Sequence, residues 1–241
     1  MMRVWKCWQR RAGRALASLA MLAALAMLGA LAPLAEAQAQ VQPKAPSSAD
    51  AARFFRAVQM DDARTVGKML AGTIDPNQRN PVGGEPGLVL ALREGAMNAF
   101  AVLLAHPGVD LEVPAVNGNT ALMMAAYRHN VPAAQTLMAR GALINQPGWS
   151  ALHYAAAVGD DTIVQQLLEH GARIDATSPI ASGKYTPLMM AAREGHDRTV
   201  RLLLQAGANA TLRNSEGLNA AQIAERADKP AIAAAIQAHF H

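Results

Sequence analysis

The chain has 241 residues, a formal net charge of +4, 51% hydrophobic residues, 4% aromatic residues and one cysteine. Its positive excess is local: residues 1–39 hold 5 of the 22 Lys and Arg and 1 of the 18 Asp and Glu, which leaves 17 of each in the rest. A neutral body has no summed field to gather phosphates, so nucleic-acid binding loses its main support, and a single cysteine excludes an internal disulfide.

The first segment has three zones. Arg3, Lys6, Arg10, Arg11 and Arg14 form a cationic head, residues 15–34 are an apolar run broken only by Ser18, Gly29 and Pro33, and small residues follow at Ala35-Glu36-Ala37 and Ala37-Gln38-Ala39. That order is the order of a secretory signal peptide over residues 1–39, cleaved after Ala37 or Ala39. Retained instead as an anchor, the run is long enough to span a bilayer. The alanine-rich character and the two cleavage sites favour removal. In either case the cationic flank stays in the cytoplasm and the remainder is expected on the far side, in a bacterial periplasm, with membrane contact only through an uncleaved leader. Cys7 lies upstream of the apolar run, so it is not a lipid attachment point, and the body has no thiol ligand or nucleophile.

Residues 38–48 are rich in Gln, Ala, Pro and Ser and bury too little to order themselves, so residues 40–49 read as a flexible tether. Residues 50–80 carry Phe54, Phe55, Val58, Val66, Met69 and Leu70 in two amphipathic stretches parted near Asp61-Asp62, which predicts two helices capping whatever follows.

One phrase then recurs. Pro86-Gly87-Leu88-Val89-Leu90-Ala91 is followed by Thr120-Ala121-Leu122-Met123-Met124-Ala125, Ser150-Ala151-Leu152-His153-Tyr154-Ala155 and Thr186-Pro187-Leu188-Met189-Met190-Ala191. The central leucines are 34, 30 and 36 residues apart, and a degraded copy around Ala221 comes 33 residues after Leu188. A period near 33 predicts a stacked solenoid, because no single unit can bury its own apolar face. Within each unit, Thr120, Ser150 or Thr186 offers a helix N-cap and Pro187 suits a first turn. A short alanine-dense helix follows, then a second helix carrying larger residues such as Ile163, Val164, Leu167 and Leu168. Gly141, Gly171 and Gly207 stand where a left-handed cap ends that second helix. Residues 213–237 read as a C-terminal cap, and 238–241 as a tail.

The phrase resembles the ankyrin repeat's Thr-Pro-Leu-His-x-Ala. Glu94-Gly95, Val158-Gly159 and Glu194-Gly195 fall where that family turns between helices, and Leu167-Leu168-Glu169-His170-Gly171-Ala172 resembles its closing phrase. The resemblance covers residues 50–237 and implies an all-α ankyrin-repeat solenoid of about six helix-turn-helix units, two of them atypical caps. It also implies that His153, in the family's own histidine position, hydrogen-bonds the loops. Met123-Met124 and Met189-Met190 replace the family's His-x pair, so loop bracing by histidine is expected to be missing from those two units. The methionines themselves read as packing, ahead of any copper or oxidant-sensing role.

In ankyrin-like stacks the concave side, made of loop tips and the ends of first helices, holds a protein partner. Carried over, those positions are Glu85, Asn119, Trp149 and Tyr185 on loops and Arg93, Glu94, Tyr127, Arg128, Arg193 and Glu194 at helix ends. Trp149 is the only tryptophan after the leader, and tryptophan, tyrosine and arginine dominate interface energetics. Two alternatives stay open. Trp149 could fold over its shortened loop onto Tyr154, and the Arg-Glu neighbours could form a solvated, mutually paired rim. The loop before Ser150 is short and residues 177–185 are an insertion, which predicts a recess beside a protrusion.

Catalytic chemistry finds no support. The seven histidines make no ligand pair at metal spacing, and there is no Gly-x-Ser-x-Gly, phosphate-cradling loop or His-Glu-x-x-His run. The expected function is a non-catalytic scaffold, without cofactor, that binds another exported protein through its concave face. The alternatives are an inhibitor or immunity-type protein that occludes an enzyme, and a small-ligand or peptidoglycan binder near residues 177–185.

Overall fold

Phe54, Leu90, Leu122, Leu152 and Leu188 lie at the centre of successive layers, each less than 2% exposed, and each anchors one helical hairpin. The computed structural model describes residues 47–72 and 74–239. The leader reading, with its two cleavage sites, and most of the tether fall outside the described residues. Among the described residues there are twelve α-helices, no β-strand beyond one isolated bridge between Arg79 and Pro86, and no helix long and apolar enough to cross a membrane.

The hairpins are α1 (Ser48–Gln59) with α2 (Ala63–Leu70), α3 (Gly87–Glu94) with α4 (Met97–Ala105), α5 (Ala121–Tyr127) with α6 (Val131–Ala139), α7 (Ala151–Val158) with α8 (Asp161–Glu169), α9 (Pro187–Glu194) with α10 (Asp197–Gln205), and α11 (Ala220–Arg226) with α12 (Pro230–Ala238). First helices pack on first helices in the order α1, α3, α5, α7, α9, α11. Second helices form the other layer, α2 on α4 and α6 through α12 in turn. The period predicts the stacked solenoid seen here, and its six helix-turn-helix units agree with the number that the resemblance implies. Ala125, Ala126, Ala155, Ala156, Ala191 and Ala192 are fully buried, since only small side chains let adjacent first helices approach. The second helices supply volume through Leu103, Leu137, Ile163, Leu167 and Leu203, each worth roughly 1.5–3 kcal/mol when fully buried.

The chain starts its first helix inside the stretch read as tether. Ser47 and Asp50 form a capping box there, the hydroxyl accepting from the Asp50 amide at 3.2 Å and the carboxylate accepting from the Ser47 amide at 3.2 Å. The turn inside each hairpin uses a left-handed residue: Asp61, Gly95, His129, Gly159, Gly195 and Asp228 take φ of 55, 74, 54, 74, 94 and 58° in units one to six. Where no glycine is present, the residue is one of the types that tolerate this region best.

Polar side chains stitch one unit to the next. Asn77 donates to the Gly108 carbonyl at 2.8 Å and accepts from the Asp110 amide at 2.7 Å. Asn145 does the same to Gly171 and Arg173, both at 2.8 Å, and Asp175 accepts from the Asn209 amide at 2.9 Å. On the second-helix side, Asp61 accepts from the Ala99 amide at 2.8 Å and Asp161 from the Thr199 hydroxyl at 2.6 Å. The carboxylate pairs therefore serve helix starts: Asp62 and Asp160 cap their own helices, and Asp61 and Asp161 reach the neighbour.

Candidate functional site

Counting from the central leucine of each phrase, or from Ala221 in unit six, the fifth residue stands in the last turn of the first helix. Units two, three, five and six place Arg93, Tyr127, Arg193 and Arg226 there, whereas unit four has Ala157, followed by Val158. The missing side chain leaves a hollow. A recess of about 320 Å³ opens at this point, with Ala157, Val158 and Met190 among its apolar lining, Tyr127, Tyr154 and Trp149 as aromatic lining, and Arg193 and Glu194 beside them.

The aromatic wall is built by packing. Tyr127 meets Tyr154 edge to face, with centroids 6.1 Å apart and planes at 81°. Trp149 lies 6.1 Å from Tyr154 at 44° and 5.3 Å from His153 at 78°. The two readings of Trp149 thus coincide: it does fold onto Tyr154 over the shortened loop, and in doing so it forms a wall of the recess. Its side chain is half-buried, and Tyr127 remains 52% exposed.

Beneath this wall His153 is fully buried. Its Nε2 is 3.0 Å from the Tyr185 carbonyl, which can only accept, so Nε2 carries the proton. Its Nδ1 then accepts from the Ser150 amide at 3.2 Å and the Ser150 hydroxyl at 2.9 Å. Burial pushes its pKa from 6.5 down to about 4, so the ring is neutral at pH 7. Unit five lacks the histidine brace, as expected, but keeps a contact within the unit. Met189 takes the histidine's place, its sulfur accepting from the Thr186 amide at 3.4 Å while its amide donates to the Thr186 hydroxyl at 3.3 Å. The bracing within the unit persists, because a thioether is a weak acceptor.

Asn119 is a correction. Expected at an exposed loop tip, it is only 8% exposed, and its Oδ1 accepts from the Tyr154 hydroxyl at 2.6 Å. It holds the aromatic wall instead of presenting its own side chain. Burial raises the Tyr154 pKa, which keeps that hydroxyl a donor.

The other candidate positions divide. Tyr127, Trp149, Arg193 and Glu194 meet at the recess. Tyr185 lies next to it, with the Arg193 guanidinium 5.3 Å from its ring centroid. Arg193 also pairs with Glu194 at 2.7 Å. Arg93 is two units away and is held by Glu85 at 2.6 Å and Glu94 at 2.8 Å, a solvated rim pair of the kind worth little. Arg128 is exposed at the end of α5 and does not line the recess. Farther along, hydrogen bonding and charge from Arg226 lower the pKa of Glu216. Tyr154, Ala157, Val158 and Met190 were missed as site residues. Aligning the fifth and sixth residues after each leucine would have found two of them, since Ala157 and Val158 break a row of long side chains. Among the described residues no group of three or more His, Cys, Asp or Glu could hold a metal ion.

A family model for ankyrin repeats matches in three copies, at residues 54–147, 88–178 and 143–214. The chain belongs to the ankyrin-repeat family. Among its relatives, human transient receptor potential cation channel subfamily A member 1 is 31% identical over 160 residues, 63% of this chain and 14% of that protein. Protein glp-1 of Caenorhabditis elegans is 32% identical over 155 residues, 56% of this chain and 12% of its own length. The mouse RelA-associated inhibitor is 42% identical over 72 residues, 29% of this chain and 9% of that protein. The chain thus spans 9–14% of the length of these three relatives. As an ankyrin-repeat chain it keeps the family's histidine brace in unit four alone, directly under the recess.

Proposed function

We propose that this ankyrin-repeat chain is a non-catalytic scaffold that grips another protein with its concave face, centred on the recess between α5, α7 and α9. In the setting the leader implies, that partner is another exported protein in a bacterial periplasm. The observation that carries this reading is the aromatic wall of Tyr127, Tyr154 and Trp149, half-open to solvent and locked from beneath by Asn119 and His153. Preorganised rings of this kind offer area and directional contacts at low entropic cost. Support also comes from three loop tips, where Val82, Val116 and Ile180 are 82, 79 and 77% exposed. Apolar tips beside a groove suit protein contact better than solvent.

The test is affinity purification of the full chain from the periplasm, with mass spectrometry of what co-elutes, beside a Trp149→Ala/Tyr185→Ala variant. Loss of one partner from a variant with an unchanged circular dichroism spectrum is expected. Equal capture by both proteins overturns this surface.

A second reading, an inhibitor that occludes a partner enzyme, draws on the likeness to RelA-associated inhibitor. It uses the same surface and differs in outcome: addition of the chain would abolish the captured partner's activity.

A further inference from the structure

The chemistry around the recess indicates what kind of group it accepts, an inference that rests on the concave-face reading above. The floor of Ala157, Val158 and Met190 suits a methylene chain. Its size of about 320 Å³ is at the small end of ligand sites, right for one side chain and too small for a large cofactor. Ring faces carry negative quadrupole charge, so they repel an anion and attract a cation. Arg193 and Glu194 form an ion pair at 2.7 Å, so together they add no net charge for a guest of either sign, and the preference for a cation comes from the rings. Only one Glu194 oxygen is used in that pair: both Nε and Nη2 of Arg193 point at Oε1, and Oε2 accepts no hydrogen bond among the described residues. A purely aliphatic guest would strip water from Oε2 and give nothing in exchange.

We propose that the recess receives a single cationic side chain, an arginine or a lysine, from the protein partner. Its stem lies along Ala157, Val158 and Met190, and its charge sits between the aromatic wall and Oε2 of Glu194. Unit four is thus the place where the repeat omits its own long side chain and a partner's takes the position. Units two, five and six fill the equivalent position with their own arginine and pair it with a glutamate, Glu85 or Glu94 for Arg93, Glu194 for Arg193 and Glu216 for Arg226. The guest would copy that arrangement in trans.

The probes are the N-acetyl amides of arginine, lysine, citrulline and norleucine, titrated into the full chain and followed by NMR at the Trp149 indole, which is assigned by its loss in Trp149→Phe. Arginine and lysine amides are expected to bind roughly threefold to thirtyfold more tightly than citrulline or norleucine amide. Glu194→Gln should narrow that ratio, and Ala157→Arg, which restores the neighbouring units' residue, should abolish the response. Should Ala157→Arg disturb folding, Glu194→Gln, at an exposed position, still decides. Norleucine binding as tightly as arginine overturns the cationic guest while leaving the groove as a docking surface. No shift with any amide overturns the recess as a site, and the partner-capture experiment judges the broader reading separately.

Discussion

His153 Nε2 donates to the Tyr185 carbonyl across 3.0 Å, joining unit four to the inserted loop of unit five. Removing the ring leaves the Ser150 amide without a partner inside the fold, at a cost of roughly 1–3 kcal/mol, and adds the loss of a fully buried side chain, while the Tyr185 carbonyl keeps the Ser178 amide at 2.8 Å. His153→Ala should therefore lower stability by about 3 kcal/mol in denaturant melts and loosen Trp149, which rests on the imidazole.

The same ring sets a pH dependence. Its folded pKa of about 4 lies below the ordinary 6.5, so between these values the unfolded chain binds more protons. Stability from this group is complete above pH 6.5 and is lost as the pH falls toward 4. The gap corresponds to about 3 kcal/mol, and His153→Gln should lose that much less than the parent between pH 7 and pH 4. Parallel losses in both proteins would contradict a ring held neutral by burial.

Gly159 and Gly95 share a left-handed φ of 74° but not their surroundings. A Cβ at Gly95 meets nothing within 4 Å, whereas at Gly159 it strikes the His196 ring, which is fixed by a 3.0 Å hydrogen bond to the Ala157 carbonyl. Asparagine tolerates this backbone, as Asp61 and Asp228 do at the same turn. Thermal melts should show Gly95→Asn close to the parent and Gly159→Asn about 2 kcal/mol less stable.

Tyr154 and Asn119 should be coupled. Tyr154→Phe leaves the buried Asn119 oxygen unpaired, at a cost of roughly 1–2 kcal/mol, while Asn119→Ala in that background should cost much less than it does alone. Additive effects in the double-mutant cycle would show that the 2.6 Å bond does not hold the wall.

What the sequence made legible follows from distance along the chain. The hairpins, the N-cap positions of Thr120, Ser150 and Thr186 and the closing glycines depend on neighbours within a turn or two, and a 33-residue period exposes them, although the Thr120 side chain makes no cap hydrogen bond. Asn119 was misjudged because its partner, Tyr154, stands a full unit away, and a loop residue with a polar side chain looks exposed until that contact is known. The inter-unit ladder of Asn77, Asn145 and Asp175 escaped notice for the same reason: each bonds about 30 residues downstream. Met189 supplies no histidine brace, and that its sulfur lies within reach of the Thr186 amide depends on a side-chain conformation that the sequence does not reveal. The recess was only half visible. The short loop and the later insertion pointed to unit four, but the hollow itself comes from Ala157 and Val158, which are unremarkable until set beside Arg93, Tyr127 and Arg193.

The central claim is that a partner sits against the first-helix face at unit four. The most direct measurement places a photoreactive amino acid at Tyr127, on the recess, or at Gln165, exposed on the second-helix layer, in the full chain within the producing cell. The account predicts one discrete cross-linked protein from position 127 and none from position 165. Equal cross-linking from both positions, or cross-linking from 165 alone, would contradict it.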